Sequence, residues 1–242
     1  LIPTASYCAY ANYHVGTEWV FSEQILNAFT VLDADAQYLQ HHADLGISSY
    51  DSHVDGSGCS YSSRLRPVLN MRPHTWAWQF AADTHIIDWL EQKDFDVDIF
   101  TDEDLHNEGL SLLEPYSCVM TGTHPEYYSR NMMNTLLAYQ QRGGRFMYMG
   151  GNGFYWKIDY HKDFPGVIEV RRAEDGSRSW ISEPGEYYHS FSGELGGLWR
   201  RNGLPPQAIA GIGFTAQGFD KSTFYERTDD SFDPRVEFVF NP

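Results

Sequence analysis

Between Thr121 and Ser129 the chain reads TGTHPEYYS, which sets a histidine, a carboxylate and two phenols in one short segment directly after the apolar run Tyr116 to Met120. Residues two apart in an extended segment point to the same side, so His124 and Glu126 can converge on one proton or one ion. An isolated HxE pair is more often a hydrogen-bonded loop pair than a site pair. A second turn, YMGGNGF, follows the apolar segment beginning at Arg145. It sits where open α/β hydrolases and amidotransferases place a strained elbow, whose apex must be Ser or Cys to act as a nucleophile. Here the apex is Asn152. An amide cannot attack a carbonyl, but it can donate to a developing oxyanion or hold a substrate carbonyl. Water is then the most economical nucleophile, and it needs a base or a metal to activate it.

Regular elements must carry these turns. AADTHIIDWLEQKDF, from Ala81, has Ile86, Ile87 and Leu90 on a helical period behind an Asp/Thr start. DVDIF, Asp96 to Phe100, reads as a short strand, and TDED after it as a capping-box entry to a helical turn. YSCVMTGT is a strand, and NMMNTLLAYQQRGG an amphipathic helix with Met132, Met133, Leu136, Leu137 and Tyr139 on its apolar face and Gly143-Gly144 as its stop. RFMYMG, Arg145 to Gly150, is the next strand. Strands alternating with helices predict an α/β fold with an open, mostly parallel sheet flanked by helices, in which ligands gather at the carboxyl ends of the strands. THPEYY and GGNGF both fall at such ends. IPTASYCAYAN near the start reads as a further strand, with Tyr7, Tyr10 and Asn12 at its end. Beyond Gly153 the texture changes to short strands, loops and turns, and the final RVEFVF alternates like a strand. Residues 46–66, a polar Gly/Ser stretch around Tyr50, read equally as a linker or as a site-forming loop.

Composition narrows the function. The 242 residues are 42% hydrophobic, enough for a substantial core, and 33 Asp and Glu against 17 Lys and Arg give a formal net charge of -16. Such a charge repels a nucleic-acid backbone or an anionic membrane surface. No apolar run approaches the roughly 18 residues of a membrane span. Cys8, Cys59 and Cys118 are widely separated without CxxC spacing, which indicates neither a disulfide framework nor a thiolate zinc site and points to the cytoplasm. Cys118, within an apolar strand and with no evident base beside it, is a poor nucleophile. His41 and His42 read as solvated, His74 and His85 as structural. GGNGF and DGSGCS lack the Lys-Ser/Thr of a phosphate loop and the GxGxxG spacing of a dinucleotide fold. Aromatic residues reach 16%, including 16 Tyr, most of which an aromatic core accounts for. The start without Met and the stop after RVEFVF suggest a piece of a longer chain.

Taken together, IPTASYCAYAN, GISSYDSHVDGSG, TGTHPEYYS and YMGGNGF resemble the large-subunit core of the N,N-dimethylformamidase family across nearly the whole chain. The resemblance implies a class I glutamine amidotransferase-like (flavodoxin-like) core that lacks the cysteine of those amidotransferases, with additional short strands and loops in the C-terminal third. Residues 1–242 would form a single such core domain belonging to a longer, multidomain chain. It also implies a mononuclear non-haem iron, ferric, held by Glu126 of HPE, Tyr50 of SSYDSH and Tyr10 of AYAN, with Tyr7 a close rival for Tyr10. His124 would tune the surroundings of the metal and Asn152 would contact substrate or bound water. Carboxylate and phenolate are hard oxygen donors suited to a trivalent ion. The implied reaction is hydrolysis of N,N-dimethylformamide or a similar small amide, with a small partner subunit and a homo-oligomer of the large one. A further acidic group, implicated as general base, is not placed within this chain. The alternative is a non-catalytic amidotransferase-like binding or scaffold domain in which HPE and the asparagine turn are structural.

Overall fold

A computed structural model describes residues 1–3, 34–49, 51, 53–68, 80–173, 179–180, 182–183, 185–215, 224 and 226–240. Its helices are α1 (Ala34–His41), α2 (Phe80–Gln92), α3 (Asp102–Glu108), α4 (Leu110–Leu113), α5 (Arg130–Gln141) and α6 (Gln207–Ala210). Its strands are β1 (Tyr61–Ser63), β2 (Cys118–Met120), β3 (Tyr127–Tyr128), β4 (Arg145–Met147), β5 (Trp156–Tyr160) and β6 (Val167–Val170). The architecture is mixed α/β. β2 and β4 pair in parallel, Val119 opposite Phe146, while β1, β6, β5 and β3 form a mixed sheet in that order. Within it β1–β6 and β6–β5 are antiparallel and β5–β3 is parallel.

Local rules formed the helices as expected. Thr101 caps α3 by accepting from Asp104 N at 3.1 Å while the Asp104 carboxylate accepts from Thr101 N at 2.8 Å, the reciprocal pair that TDED announces. Ser129 caps α5, whose Met132, Met133, Leu136 and Tyr139 are buried. Gly143, at φ +89°, ends it in a conformation open to glycine, and Gly144 lies so close to the Tyr139 ring that no side chain fits there.

Two expected strands do not form as regular strands. Asp96–Phe100 is irregular, yet Leu1 N donates to Asp98 O at 2.8 Å and Phe100 N to Leu1 O at 3.2 Å, the evenly slanted pattern of parallel pairing. Ile2 in turn bridges Thr121 in parallel, so these short segments continue outward from β2. RVEFVF is a turn with a 3-10 segment at Glu237–Val239. The Arg227 guanidinium lies about 4 Å from the Phe232 and Phe240 ring centres and folds the chain back on itself, overriding the alternation. β4 stops at Met147, short of the expected Gly150, because Met149 N donates to the Thr121 hydroxyl at 3.0 Å.

Two cores meet at β3. One gathers Leu105, Val119, Tyr128, Met132, Leu136, Phe154 and Trp199; the other gathers Tyr127, Tyr155, Trp156, Ile158, Ile168 and Val170. Successive strand side chains point to opposite faces, so Tyr128 enters the first core and Tyr127 the second. The core takes up only part of the aromatic excess: among the described residues Tyr127, Tyr128, Phe154, Trp156 and Trp199 are buried, whereas Trp89, Phe95, Phe164, Phe232 and Phe238 are exposed. Trp199 seals the first core, with Nε1 donating to Tyr128 O at 2.9 Å. Trp199→Ala should cost about 3–5 kcal/mol in denaturant unfolding; a loss below about 1 kcal/mol would mean that the core closes without it.

The described part of stretch 46–66 is held by hydrogen bonds and is not a bare linker. Ser48 and Ser49 are buried, Asp51 Oδ2 accepts from Ser48 N at 2.8 Å, Cys59 N donates to Asp51 O at 3.3 Å, and the stretch includes β1. His41, His42 and His85 are exposed, the last on α2 and not enclosed as a structural histidine. Cys118 is exposed on β2 and Cys59 buried, both as free thiols. Among the described residues no helix is long and apolar enough to cross a membrane.

Candidate active site at the ends of the parallel strands

The segment after β2 is pinned at nearly every backbone position. Thr121 N donates to Met147 O at 3.0 Å, Gly122 N to Ile2 O at 2.7 Å, and Thr123 N to the buried Asp83 carboxylate at 2.6 Å. Asp83 read as part of a capped helix start; it lies in the first turn of α2 and instead ties that helix to the site loop. The next residues do not run extended. Glu126 N donates to His124 O at 2.8 Å, a three-residue turn around Pro125, whose ring already restricts φ to the range such turns use.

This turn still brings the pair together. His124 Nε2 lies 3.2 Å from Glu126 Oε2, with the histidine side chain 16% exposed and the carboxylate 1%. Glu126 Oε2 is fully enclosed and has no hydrogen-bond partner among the described residues. Leaving a buried carboxylate oxygen without a hydrogen bond is costly, and such an atom calls for an ion, a water or a ligand proton. The carboxylate is the donor type that a hard cation takes, so the position fits the iron that the family resemblance implies.

The second turn is laced to the first. Gly151 N donates to Thr123 O at 3.0 Å, Phe154 N to Pro125 O at 2.8 Å, and Tyr155 N and Trp156 N to Glu126 O at 3.1 and 2.9 Å. Asn152 is thus held between two ties to the loop bearing His124 and Glu126. Its φ of +51° is the left-handed conformation that asparagine tolerates better than most residues, and it matches the strained apex inferred for this turn. Phe154, at φ +53°, completes the bend.

Tyr148 belongs to this arrangement although it was not singled out from the sequence. Its hydroxyl accepts from Gly153 N at 2.9 Å, and its ring packs so closely on Gly153 that an added Cβ would lie 2.5 Å from Cε2. Burial pushes the phenol above its ordinary value, the Gly153 N–H offsets part of that, and the Glu126 charge adds to the rise. It therefore stays protonated near neutral pH, with a hydroxyl proton to donate. Its place in YMGGNGF, four residues before the Asn152 apex, was the one available hint. Asp83 had none, because its partner lies 40 residues away.

Of the residues inferred from the sequence, the structure joins His124 with Glu126 and ties the turn of Asn152 to them. Tyr10, its rival Tyr7, and Tyr50 lie outside the described residues. Among the described residues no three His, Cys, Asp or Glu side chains cluster to hold a metal. The inferred ligand set draws only Glu126 from those residue types.

Comparison with known proteins adds the family. The chain is 38% identical to the N,N-dimethylformamidase beta subunit of Paracoccus aminophilus over 100% of its length and 32% of that protein's. It is also 38% identical to the N,N-dimethylformamidase beta subunit of an Alcaligenes species, over 98% of this chain and 32% of the relative. It therefore spans about a third of the length of these curated relatives. The family model described as "N,N-dimethylformamidase beta subunit-like, C-terminal" matches residues 1–241, and the chain belongs to that family.

Proposed function

We propose that this chain is the core of an iron-dependent amidohydrolase, built on a class I glutamine amidotransferase-like, flavodoxin-like domain spanning residues 1–242 of a longer chain. Its substrate is N,N-dimethylformamide or a similar small N-substituted amide, which water cleaves to formate or the corresponding acid and an amine. The observation that carries the reading is the Glu126 carboxylate, 1% exposed beside His124 with Oε2 lacking a hydrogen bond, at the carboxyl ends of a parallel strand pair. Relatives named as beta subunits of N,N-dimethylformamidase support the substrate class.

Glu126, Tyr50 and Tyr10, or Tyr7 in its place, hold the metal. Ferric iron, a hard Lewis acid matched to these oxygens, supplies carbonyl polarisation and water activation when bound. His124 orients the Glu126 carboxylate through the 3.2 Å contact and can hold a proton at Nε2. Asn152, fixed on its left-handed turn, presents an amide to the substrate oxygen, and an amide donor already aimed there costs no reorganisation as charge develops. Subunits partner through a small second chain and a homo-oligomer of this one, in the cytoplasm.

Metal analysis with a visible spectrum tests this reading. The expected result is about one iron per chain and a tyrosinate-to-iron band that Tyr50→Phe abolishes. A protein that stays colourless and iron-free after reconstitution in its full-length context would overturn the reading and leave a scaffold domain.

A further inference from the structure

Arg172 is 0% exposed, an unusual place for a guanidinium that cannot shed its charge. Its Cζ lies 5.4 Å from the ring centre of Tyr127, 5.3 Å from that of Trp156 and 5.9 Å from that of Trp180. Three aromatic faces replace part of the lost hydration. The polar reach of the head group is directed at two distant parts of the chain. Nη2 donates to the Tyr127 hydroxyl and, at 3.3 Å, to the Ser49 hydroxyl. The Arg172 carbonyl accepts from Trp180 N at 2.9 Å, which fixes the arginine's own backbone.

The two contacted residues flank the proposed ligands in sequence. Tyr127 follows Glu126, and Ser49 precedes Tyr50. Both are almost fully buried, at 1% exposure, and the Ser48–Ser49 backbone is tightened further by the Asp51 carboxylate. A single rigid, planar cation thus spans two segments separated by 78 positions, between Ser49 and Tyr127. Nothing local requires this. β6 ends at Val170, and a buried arginine beyond a strand end costs desolvation that a leucine would not.

We propose that Arg172 is a positioning residue for the metal site, clamping the Ser48–Ser49 turn that leads into Tyr50 against the β3 strand that follows Glu126. The proposal rests on the iron-dependent reading above. Arg172 touches neither substrate nor metal; it acts through Ser49 and Tyr127. Residues that orient metal ligands from outside are commonly worth about 10- to 100-fold in metal affinity.

The test uses iron-loaded full-length protein challenged with a chelator, and compares Arg172→Lys, Tyr127→Phe and Ser49→Ala. Lysine keeps the charge but, being shorter and lacking the planar guanidinium that lies among the three rings, cannot place a donor where Nη2 meets both hydroxyls. Arg172→Lys should release iron about tenfold faster and displace the tyrosinate band. Tyr127→Phe and Ser49→Ala should move both readouts the same way by less, and Tyr127→Phe should add little on top of Arg172→Lys because both cut the same link. A protein that is merely less stable would lose iron while keeping the band position. Iron retention and a band indistinguishable from the unmodified protein in Arg172→Lys would overturn the proposal. If that variant does not fold, the same result in both Tyr127→Phe and Ser49→Ala would do so. Should the unmodified protein hold no iron, the functional reading fails. The clamp is then judged on amide exchange at Ser48 and Asp51, which is faster in Tyr127→Phe if the clamp exists and unchanged if it does not.

Discussion

Glu126→Ala is expected to abolish iron binding and amide hydrolysis together while the chain remains folded. The backbone of Glu126 carries its structural duties: N donates to His124 O, and O accepts from Tyr155 and Trp156. Alanine retains all of these. The side chain contributes a buried oxygen without a hydrogen bond, so its removal relieves desolvation as well as leaving a small void. His124, partly exposed, can exchange the lost contact for water. Unfolding free energy should therefore change by no more than about 1 kcal/mol. On the proposed function, activity should fall about a thousandfold or more, because the carbonyl polarisation and water activation that the metal would supply are worth several kcal/mol of barrier. Iron content, turnover and denaturant unfolding of one preparation separate these effects. A folded variant with full iron content would remove Glu126 from the ligand set.

Gly150→Ala should disable the site from outside it. A Cβ at this position would lie 2.5 Å from Thr123 O, 2.6 Å from Thr123 C and 2.7 Å from Pro125 Cδ. Two of these are backbone atoms and the third is part of a proline ring, so no flexible side chain can yield. Thr123 cannot retreat freely, since its N is held by Asp83 and its O by Gly151. The strain is passed to His124 and Glu126. Overpacking of this kind costs about 1–3 kcal/mol of stability. The larger effect is on turnover, where a displacement of about 1 Å can cost about a hundredfold. A variant that retains wild-type kcat/KM would show that the two turns can separate without harm to the chemistry.

What could be read from the sequence follows the range of the interaction. The capping box at Thr101 and the apolar face and glycine stop of α5 are set within a turn or two of chain, and each formed as expected. The placement of THPEYY and GGNGF at strand ends was equally accessible, because a parallel α/β pattern leaves few other places for such turns. The pairing of His124 with Glu126 came out correctly for a different geometric reason: a tight turn at Pro125 and not an extended segment joins them. Asp83, Tyr148 and Arg172 were not foreseen. Asp83 and Arg172 act across 40 and 123 positions, and no periodicity encodes such meetings. RVEFVF shows the opposite failure, a clear alternation overruled by one arginine between two phenylalanine rings.

The place of β3 between two cores bears on what the site will accept. Tyr127 and Tyr128, both 1% exposed, lock the strand into opposite packing environments immediately after Glu126. Protein interiors are packed as densely as organic crystals and yield little to a displaced neighbour. A carboxylate anchored from both sides cannot slide to meet ions of different radius. In the proposed iron site, discrimination among cations of the same charge would then be imposed by the scaffold, as a fixed spacing that an ion must match, in preference to an affinity tuned by the ligands alone.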